Sequence, residues 1–263
     1  MIKLVALLKA RPGMSRGEFI ERYEAVHAPL IGSLIPFFSA YRRSYPLRAV
    51  APEHIEPPRL PESFDVLTEL WYPGQAALDA QAKAIDGGAG TAIAQDEEEQ
   101  FDRARMAMFV ADERVTPASS LRPAPAGQSG QPPIRVTGLL KMRPGLSRAD
   151  FIDYYEGRHV PLALEVMVGD DIPLFAAYSR SYPVPDQTFP IGTAEAAASI
   201  DFDVITDMWF WTEEDYQAFL ARPAIPAVGA ALLADEMKLF DRAAMVAFLA
   251  EEFITPPTAL PPL

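Results

Sequence analysis

The chain has 263 residues, 49% of them hydrophobic and 22% charged, with a formal net charge of −13 and no cysteine. That length suits two small domains, each able to bury a core without disulfides or a structural metal. The acidic balance argues against nucleic acid as a partner, and the lack of cysteine excludes disulfide scaffolds, thiolate metal sites, iron–sulfur clusters and cysteine nucleophiles.

The first apolar run, Ile2 to Lys9, is interrupted by Lys3, is too short for a membrane span and is followed by no small-residue cleavage site. It is expected to be a β-strand buried on both faces, in a soluble protein of the cytoplasm, and Arg11-Pro12-Gly13 bounds it. Ser15 with Glu18 three residues on forms a capping box, and Phe19, Tyr23 and Val26 continue at helical spacing. His27 falls on the inward side of the last turn, and Pro29 predicts that the helix ends or kinks at Ala28. A loop containing Ile35-Pro36 leads into Ala40 to Pro46, AYRRSYP, a strand whose period of two puts Tyr41, Arg43 and Tyr45 on one face. Residues 47–62 read as a proline-rich loop holding His54. Phe64-Asp65-Val66-Leu67-Thr68 opens a third strand that ends at Trp71, with Asp65, Leu67, Glu69 and Trp71 on one face. Helical segments over 75–86 and 91–103 follow, and a last strand begins at Met106.

The whole series then recurs. Ser15 to Leu30 returns as Ser147 to Leu162, carrying His159 to the place of His27, so two of the three histidines occupy matched positions. Ala177 to Pro183 repeats the Tyr-Arg-Tyr face as Tyr178, Arg180 and Tyr182, after a loop containing Ile172-Pro173. Phe202-Asp203-Val204-Ile205-Thr206 repeats the third strand and ends at Trp209, and helices are expected over 213–221 and 227–242. Residues 184–199 are the second proline-bearing loop. The domain boundaries follow: a first module over 1–116, a Pro/Ser/Gly linker over 117–133, a second module over 134–255 and an extended proline-rich tail over 256–263.

Each module reads strand, helix, strand, strand, helix, strand, the split βαβ or ferredoxin-like order of an α+β fold. Four strands with helices on one side leave the other side uncovered, yet the first and last strands are apolar throughout. Two copies in one chain cover each other, which predicts an eight-stranded barrel with helices outside, a pseudo-dimer by fusion.

The residues KxRPGxSRxxFxxxYExxHxPL, the AYxRSYP strand and FDVxTxxW resemble the EthD-type branch of the dimeric α/β-barrel superfamily, in both halves. The resemblance implies a pocket between sheet and helices, no metal or organic cofactor, and an aromatic substrate. Its members include polyketide-tailoring dehydratases and decarboxylases and proteins of degradative gene clusters. They are mostly single-module dimers, so the fused tandem departs from them, and its two pockets need not be equal.

His27 and His159 are the first catalytic candidates, since histidine titrates near neutral pH and serves as general acid or base. The plainer alternative is a helix-end histidine bonding a neighbour, and with one histidine per module no metal site is expected. Tyr41 and Tyr178 would donate to a developing oxyanion, with Arg43, Arg180, Tyr45 and Tyr182 lining the substrate pocket. Alternatively Arg43 pairs with Asp65 across the sheet and the tyrosines fill the core. Asp65 and Asp203 would orient the histidines, and Trp71, Trp209, Tyr23 and Tyr155 would contact an aromatic ring, although large aromatics are commonly core. Asp96-Glu97-Glu98-Glu99 reads as a solvated helix face and His54 as a surface residue. Arg42 against Ser179, Tyr72 against Phe210, Pro73 against Trp211 and Val26 against Arg158 would make the two pockets chemically distinct.

The expected function is that of a cofactor-independent lyase on a phenolic or polyketide-like aromatic, with histidine starting an elimination of water, carbon dioxide or a small aldehyde. A cofactor-free monooxygenase on an electron-rich phenol and a non-catalytic small-molecule binding protein are the alternatives. Neither nucleic acid nor membrane is expected as a partner, and the fused pseudo-dimers could associate into homo-oligomers.

Overall fold

The structure, a computed structural model, describes residues 1–50, 59–128, 130, 132, 134–190 and 200–255. His54 and the tail after Thr255 lie outside the described residues. In the first half β1 (Ile2–Leu8) leads to α1 (Arg16–Arg22), a π-helical turn over Tyr23–His27, and α2 (Ala28–Leu34). Then come β2 (Ala40–Ala49), β3 (Val66–Tyr72), α3 (Gln75–Ala84), α4 (Gly90–Gln100) and β4 (Ala107–Val115). The second half runs β5 (Ile134–Leu140), α5 (Arg148–Tyr154), a π-helical turn over Tyr155–His159, α6 (Val160–Val166) and a small hairpin of β6 (Val168–Gly169) with β7 (Ile172–Pro173). It finishes with β8 (Ala177–Pro190), β9 (Val204–Phe210), α7 (Glu213–Ala221), α8 (Pro226–Leu239) and β10 (Val246–Thr255).

All strand pairs are antiparallel. Within each half the order is the ferredoxin-like one, β4-β1-β3-β2 and β8-β9-β5-β10, and the halves join through β2 with β10 and β4 with β8 into a closed barrel. The α+β, two-module barrel expected from the sequence is the one observed. Alternation along the strands sends one set of side chains to the barrel interior and the other beneath the helices. Val5, Leu7, Leu67, Phe109, Leu139, Ile205 and Phe248 fill one end of the interior as a single apolar cluster. The helix-side faces form two further clusters, one per half.

The other end of the interior is ionic. Lys3 Nζ lies 2.8 Å from Glu69 and 2.7 Å from Glu113. Its counterpart Arg135 reaches Glu69 and Asp207, both at 2.8 Å, and Glu252 at 2.5 Å. Arg42 is held between Trp71 and Trp209, 5.5 and 5.6 Å from the ring centroids. Burial would lift the Glu69 carboxyl, but Arg135, Lys3 and Arg42 hold it far below its ordinary value.

Four local expectations are corrected. The helix does not end at Ala28. Its Pro29 is carried by a widened turn in which the Ala28 N–H bonds Tyr23 O, five residues back, and a Pro at the start of α2 loses nothing because that N–H has no helical partner to replace. The same turn recurs before Pro161. The stretch expected to loop after Pro183 stays in β8 as far as Pro190, because β4 supplies a pairing edge from Ala107 to Val115. Ile172-Pro173 is a hairpin strand, entered through Asp170 and Asp171 at φ 52° and 60°, a left-handed pair that suits a tight hairpin turn. The second helices stop at Gln100 and Leu239, where Phe101 and Phe240 turn extended and bridge to Ala10 and Met142.

The buried ion cluster yields a stability prediction. Arg135→Ala leaves Glu69 and Asp207 without their shared cation, and breaking a buried pair from one side costs about 3–5 kcal/mol. Urea unfolding of the full chain should show a loss of that order, and a change under about 1 kcal/mol would show that the cluster does not hold the halves together.

Candidate active site

Beneath the helices of each half a histidine is fixed by the same arrangement. The π-helical turn rotates His27 and His159 onto the buried side, where each ring lies edge-on between a tyrosine and a phenylalanine. His27 Nδ1 is 2.7 Å from Asp96 Oδ2 on α4, and His159 Nδ1 is 2.7 Å from Asp235 Oδ2 on α8. No described residue bonds Nε2 of His159. A histidine whose Nδ1 proton is fixed by a carboxylate presents Nε2 as the basic atom.

Beside each histidine stand hydroxyls. Tyr23 Oη is 2.9 Å from Tyr41 Oη and 3.0 Å from Thr68 Oγ1. In the second half Tyr155 Oη is 3.2 Å from Tyr178 Oη. Burial pushes the Tyr23 phenol up to about 12 and raises Tyr41, Tyr155 and Tyr178 as well, so all four remain protonated donors at neutral pH.

The two halves differ in what lies next to this constellation. A cavity of about 100 Å³ opens against His159, Tyr155, Tyr178 and Thr206, with otherwise largely apolar walls. Three small wall residues make room for it: Gly138, Ala163 and Ala247. The corresponding first-half positions hold Ala6, Ile31 and Met108, which pack into the core around Tyr23 and Tyr41. The carboxylates differ too. Asp96 Oδ1 pairs with Arg22 at 3.1 Å and Oδ2 also accepts from Gln100 at 2.6 Å, whereas Asp235 Oδ1 accepts from the neutral Tyr154 phenol at 2.9 Å. Burial would raise the Asp235 carboxyl, but the His159 and Tyr154 hydrogen bonds hold it below its ordinary value. No described arginine pairs with Asp235; Lys238 is the cation whose charge also acts on it.

Residues 11–104 and 143–243 both match the EthD domain. The chain belongs to the EthD-domain family. Its architecture is that of the dimeric α/β-barrel superfamily, here closed within one chain. An anthrone oxidase-like protein shares the fold at 10% identity and a TM-score of 0.50, covering 97% of this chain and 93% of that one. A putative monooxygenase from Lactobacillus acidophilus is similar at 10% identity and a TM-score of 0.47, covering 96% and 94%. A dye-decolorizing peroxidase from Bacteroides thetaiotaomicron gives 8% identity, a TM-score of 0.48 and coverage of 94% and 92%. No curated protein matches the sequence significantly.

In this EthD tandem the candidate residues do not converge on a single site. His27, Tyr23 and Tyr41 meet in one half, and His159, Tyr155 and Tyr178 in the other. Arg43 and Arg180 are already occupied: Arg43 forks onto Glu24 at 3.1 and 2.5 Å, and Arg180 onto Glu156 at 3.1 and 2.6 Å. Tyr45 and Tyr182 donate to the same glutamates at 2.7 and 2.6 Å. Arg43 therefore pairs with Glu24, not with Asp65, and it also reaches Thr255 of the other half, as Arg180 reaches Thr116. Trp71 and Trp209 point into the barrel, across the sheet from the histidines, and Trp71 Nε1 donates to Glu113 at 2.8 Å.

Asp65 and Asp203 do not orient the histidines. They fasten the chain after β1 and β5, accepting from the backbone of Ala10 and Met142 at 2.8 Å and pairing with Lys9 and Lys141. Asp96 and Asp235 take that role. Only half of the acidic run is solvated: Glu98 and Glu99 are exposed, whereas Asp96 and Glu97 are buried. Their repetition, Asp96-Glu97 before Phe101-Asp102-Arg103 and Asp235-Glu236 before Phe240-Asp241-Arg242, was the available signal. Of the positions that differ between halves, Arg42 and Ser179 lie inside the barrel while Val26 and Arg158 are exposed. Among the described residues no group of His, Asp and Glu is placed to hold a metal ion. No single described helix is long and apolar enough to cross a membrane; the bent pair Glu213–Ala224 and Pro226–Leu239 passes that test only by length and composition.

Burial raises the Glu97 carboxyl from 4.5 to about 7, against the pull of Arg103. Between those two values the native state keeps a proton that the unfolded chain has released, so stability falls as pH rises through that window. Thermal unfolding across it should show the decline in the wild type and a flatter profile in Glu97→Gln. Matching slopes would rule out this contribution.

Proposed function

We propose that the protein is a cofactor-independent lyase acting on a small phenolic aromatic, with its working site in the second half and the first half as a closed counterpart. The observation that carries this reading is His159: Nδ1 is fixed by Asp235 at 2.7 Å while Nε2 has no described partner at the edge of an apolar cavity. Such a group can take a proton from bound substrate and hand it to the leaving group, so that elimination of water begins and ends with the same neutral histidine. Electron density moving onto a substrate oxygen meets the protonated Tyr155 and Tyr178 hydroxyls. The arginines expected to hold that anion are occupied by glutamates, so the anion is stabilised by neutral donors.

The cavity volume narrows the substrate. About 100 Å³ is less than the roughly 150 Å³ of an engineered cavity that admits benzene, so a single substituted ring with slight wall adjustment fits better than a fused polyketide. A second reading, a cofactor-free oxygenase, is favoured by one observation: a protein of the same fold is described as anthrone oxidase-like. Oxygen consumption during turnover separates the two.

With monocyclic phenols bearing a benzylic hydroxyl or a carboxyl group as trial substrates, His159→Ala should lower turnover by about 10²–10⁴-fold. Asp235→Asn should lower it less, and His27→Ala should leave it within about threefold, since the general-base contribution is confined to the open half. Equal losses from the two histidine variants would overturn the assignment to one half. Wild-type turnover in His159→Ala would overturn the base.

A further inference from the structure

The duplicated fold supplies its own control for one side chain the proposed chemistry leaves unused. Thr206 faces the second-half cavity and is only 4% exposed, yet its Oγ1 meets no described partner with hydrogen-bond distance and angle. It lies near enough to Tyr155 and Tyr178 to favour ionisation of both phenols, but reaches neither with bonding geometry. Its twin Thr68 is satisfied, at 3.0 Å from Tyr23 Oη, and the adjoining tyrosine pair is closer there, 2.9 Å against 3.2 Å.

The cause sits on the neighbouring strand. Thr68 is paired across the sheet with Ala6, and Thr206 with Gly138. A β-carbon at Gly138 would stand 2.7 Å from Thr206 Cγ2, closer than real atoms approach. Thr206 therefore leans into room that Ala6 denies Thr68, and its hydroxyl leaves the tyrosine pair. A buried hydroxyl with no partner is unfavourable, and the native chain keeps one where a small cavity adjoins it.

We propose that Tyr155, Tyr178 and Thr206 form a three-hydroxyl receiving site for one oxygen of a monocyclic ligand, a phenol or its enol equivalent, and that Gly138 is the residue that sets it open. This rests on the reading of the His159 cavity as the working site, and it specifies that site's ligand. The ring lies among the apolar walls. One tyrosine hydroxyl donates to the other, so the ligand oxygen accepts from the one whose proton is free and takes the Thr206 hydroxyl as donor or acceptor, which places the rest of the ring toward His159 Nε2. A ligand of the same size without oxygen gains the apolar burial but leaves the hydroxyl unpaired, so the site discriminates by the presence of that oxygen.

Phenol and toluene, which differ by hydroxyl against methyl, test this by calorimetric titration of the full chain. The wild type should bind phenol about tenfold or more tightly than toluene, the difference a well-made buried hydrogen bond supports. Thr206→Val, equal in shape, should bring phenol to within about threefold of toluene while toluene binding stays the same. Gly138→Ala should cause the same loss of preference by pressing Thr206 back toward the tyrosines. His159→Ala should keep the preference, so a failed hydroxyl site is told apart from a failed catalytic base, which shows only in turnover. A wild type that does not distinguish the two probes or binds neither, or a Thr206→Val variant that still prefers phenol, overturns the proposal.

Discussion

The fold depends on closing a barrel whose ionic end belongs to neither half alone. Glu69 of the first half is shared between Lys3 of its own half and Arg135 of the other, and Arg135 also bonds Ser44 while Lys3 bonds Ser181. Each cation thus reaches across the pseudo-twofold. Desolvating so many charges is costly, and an apolar interior of the same shape would fold as well or better. What the ions supply is register: β2 must meet β10, and β4 must meet β8, in the one alignment that lets these groups satisfy one another. The same seams are fixed on their outer side by Arg43 with Thr255 and Arg180 with Thr116.

That division of labour explains why the helix-side pockets are free to diverge. Stability of the pair is carried inside the barrel and along its seams, where Lys3 answers to Arg135, Glu69 to Asp207 and Glu113 to Glu252, so that charge is kept although residue type is not. The apolar positions beneath each helix layer contribute packing, and packing tolerates exchange when volume is preserved overall. In the first half Ile31, Met108 and Ala6 pack in the core with Tyr23 and Tyr41. In the second, Ala163, Ala247 and Gly138 leave a cavity, a loss of apolar contact that a folded protein retains at its own expense unless something fills it. The carboxylates differ in the same way: Arg22 pairs with Asp96, whereas the Tyr154 phenol bonds Asp235.

The fold was readable in the sequence because its signals are local and doubled. Period-two strands, a capping box at Ser15 and a repeated His-x-Pro-Leu need no long-range information, and the uncovered sheet face forces the barrel. The site was readable only in part. The inward placement of His27, His159 and the tyrosines is legible because they lie on regular elements whose inward face can be counted. Asp96 and Asp235 were missed because an acidic run on a helix alternates between faces, so that Asp96 and Glu97 turn inward while Glu98 and Glu99 do not, and only tertiary packing decides which turn meets a histidine. The partner of Arg43 is hidden for a related reason: strand periodicity gives the face but not the partner, and Glu24 reaches it from the π-helical turn.

The positions that separate the halves chemically are therefore the inconspicuous ones. Arg42 against Ser179 or Val26 against Arg158 change charge and draw notice, yet they alter the barrel interior and the surface. Ala6 against Gly138 removes one methyl group and changes what a neighbouring threonine can do with its hydroxyl. In a close-packed interior a single β-carbon decides whether a polar group is satisfied by its own protein or left open to a visitor. The specificity of a duplicated barrel can then be altered by a small-to-smaller change on one strand while every titrating residue stays in place.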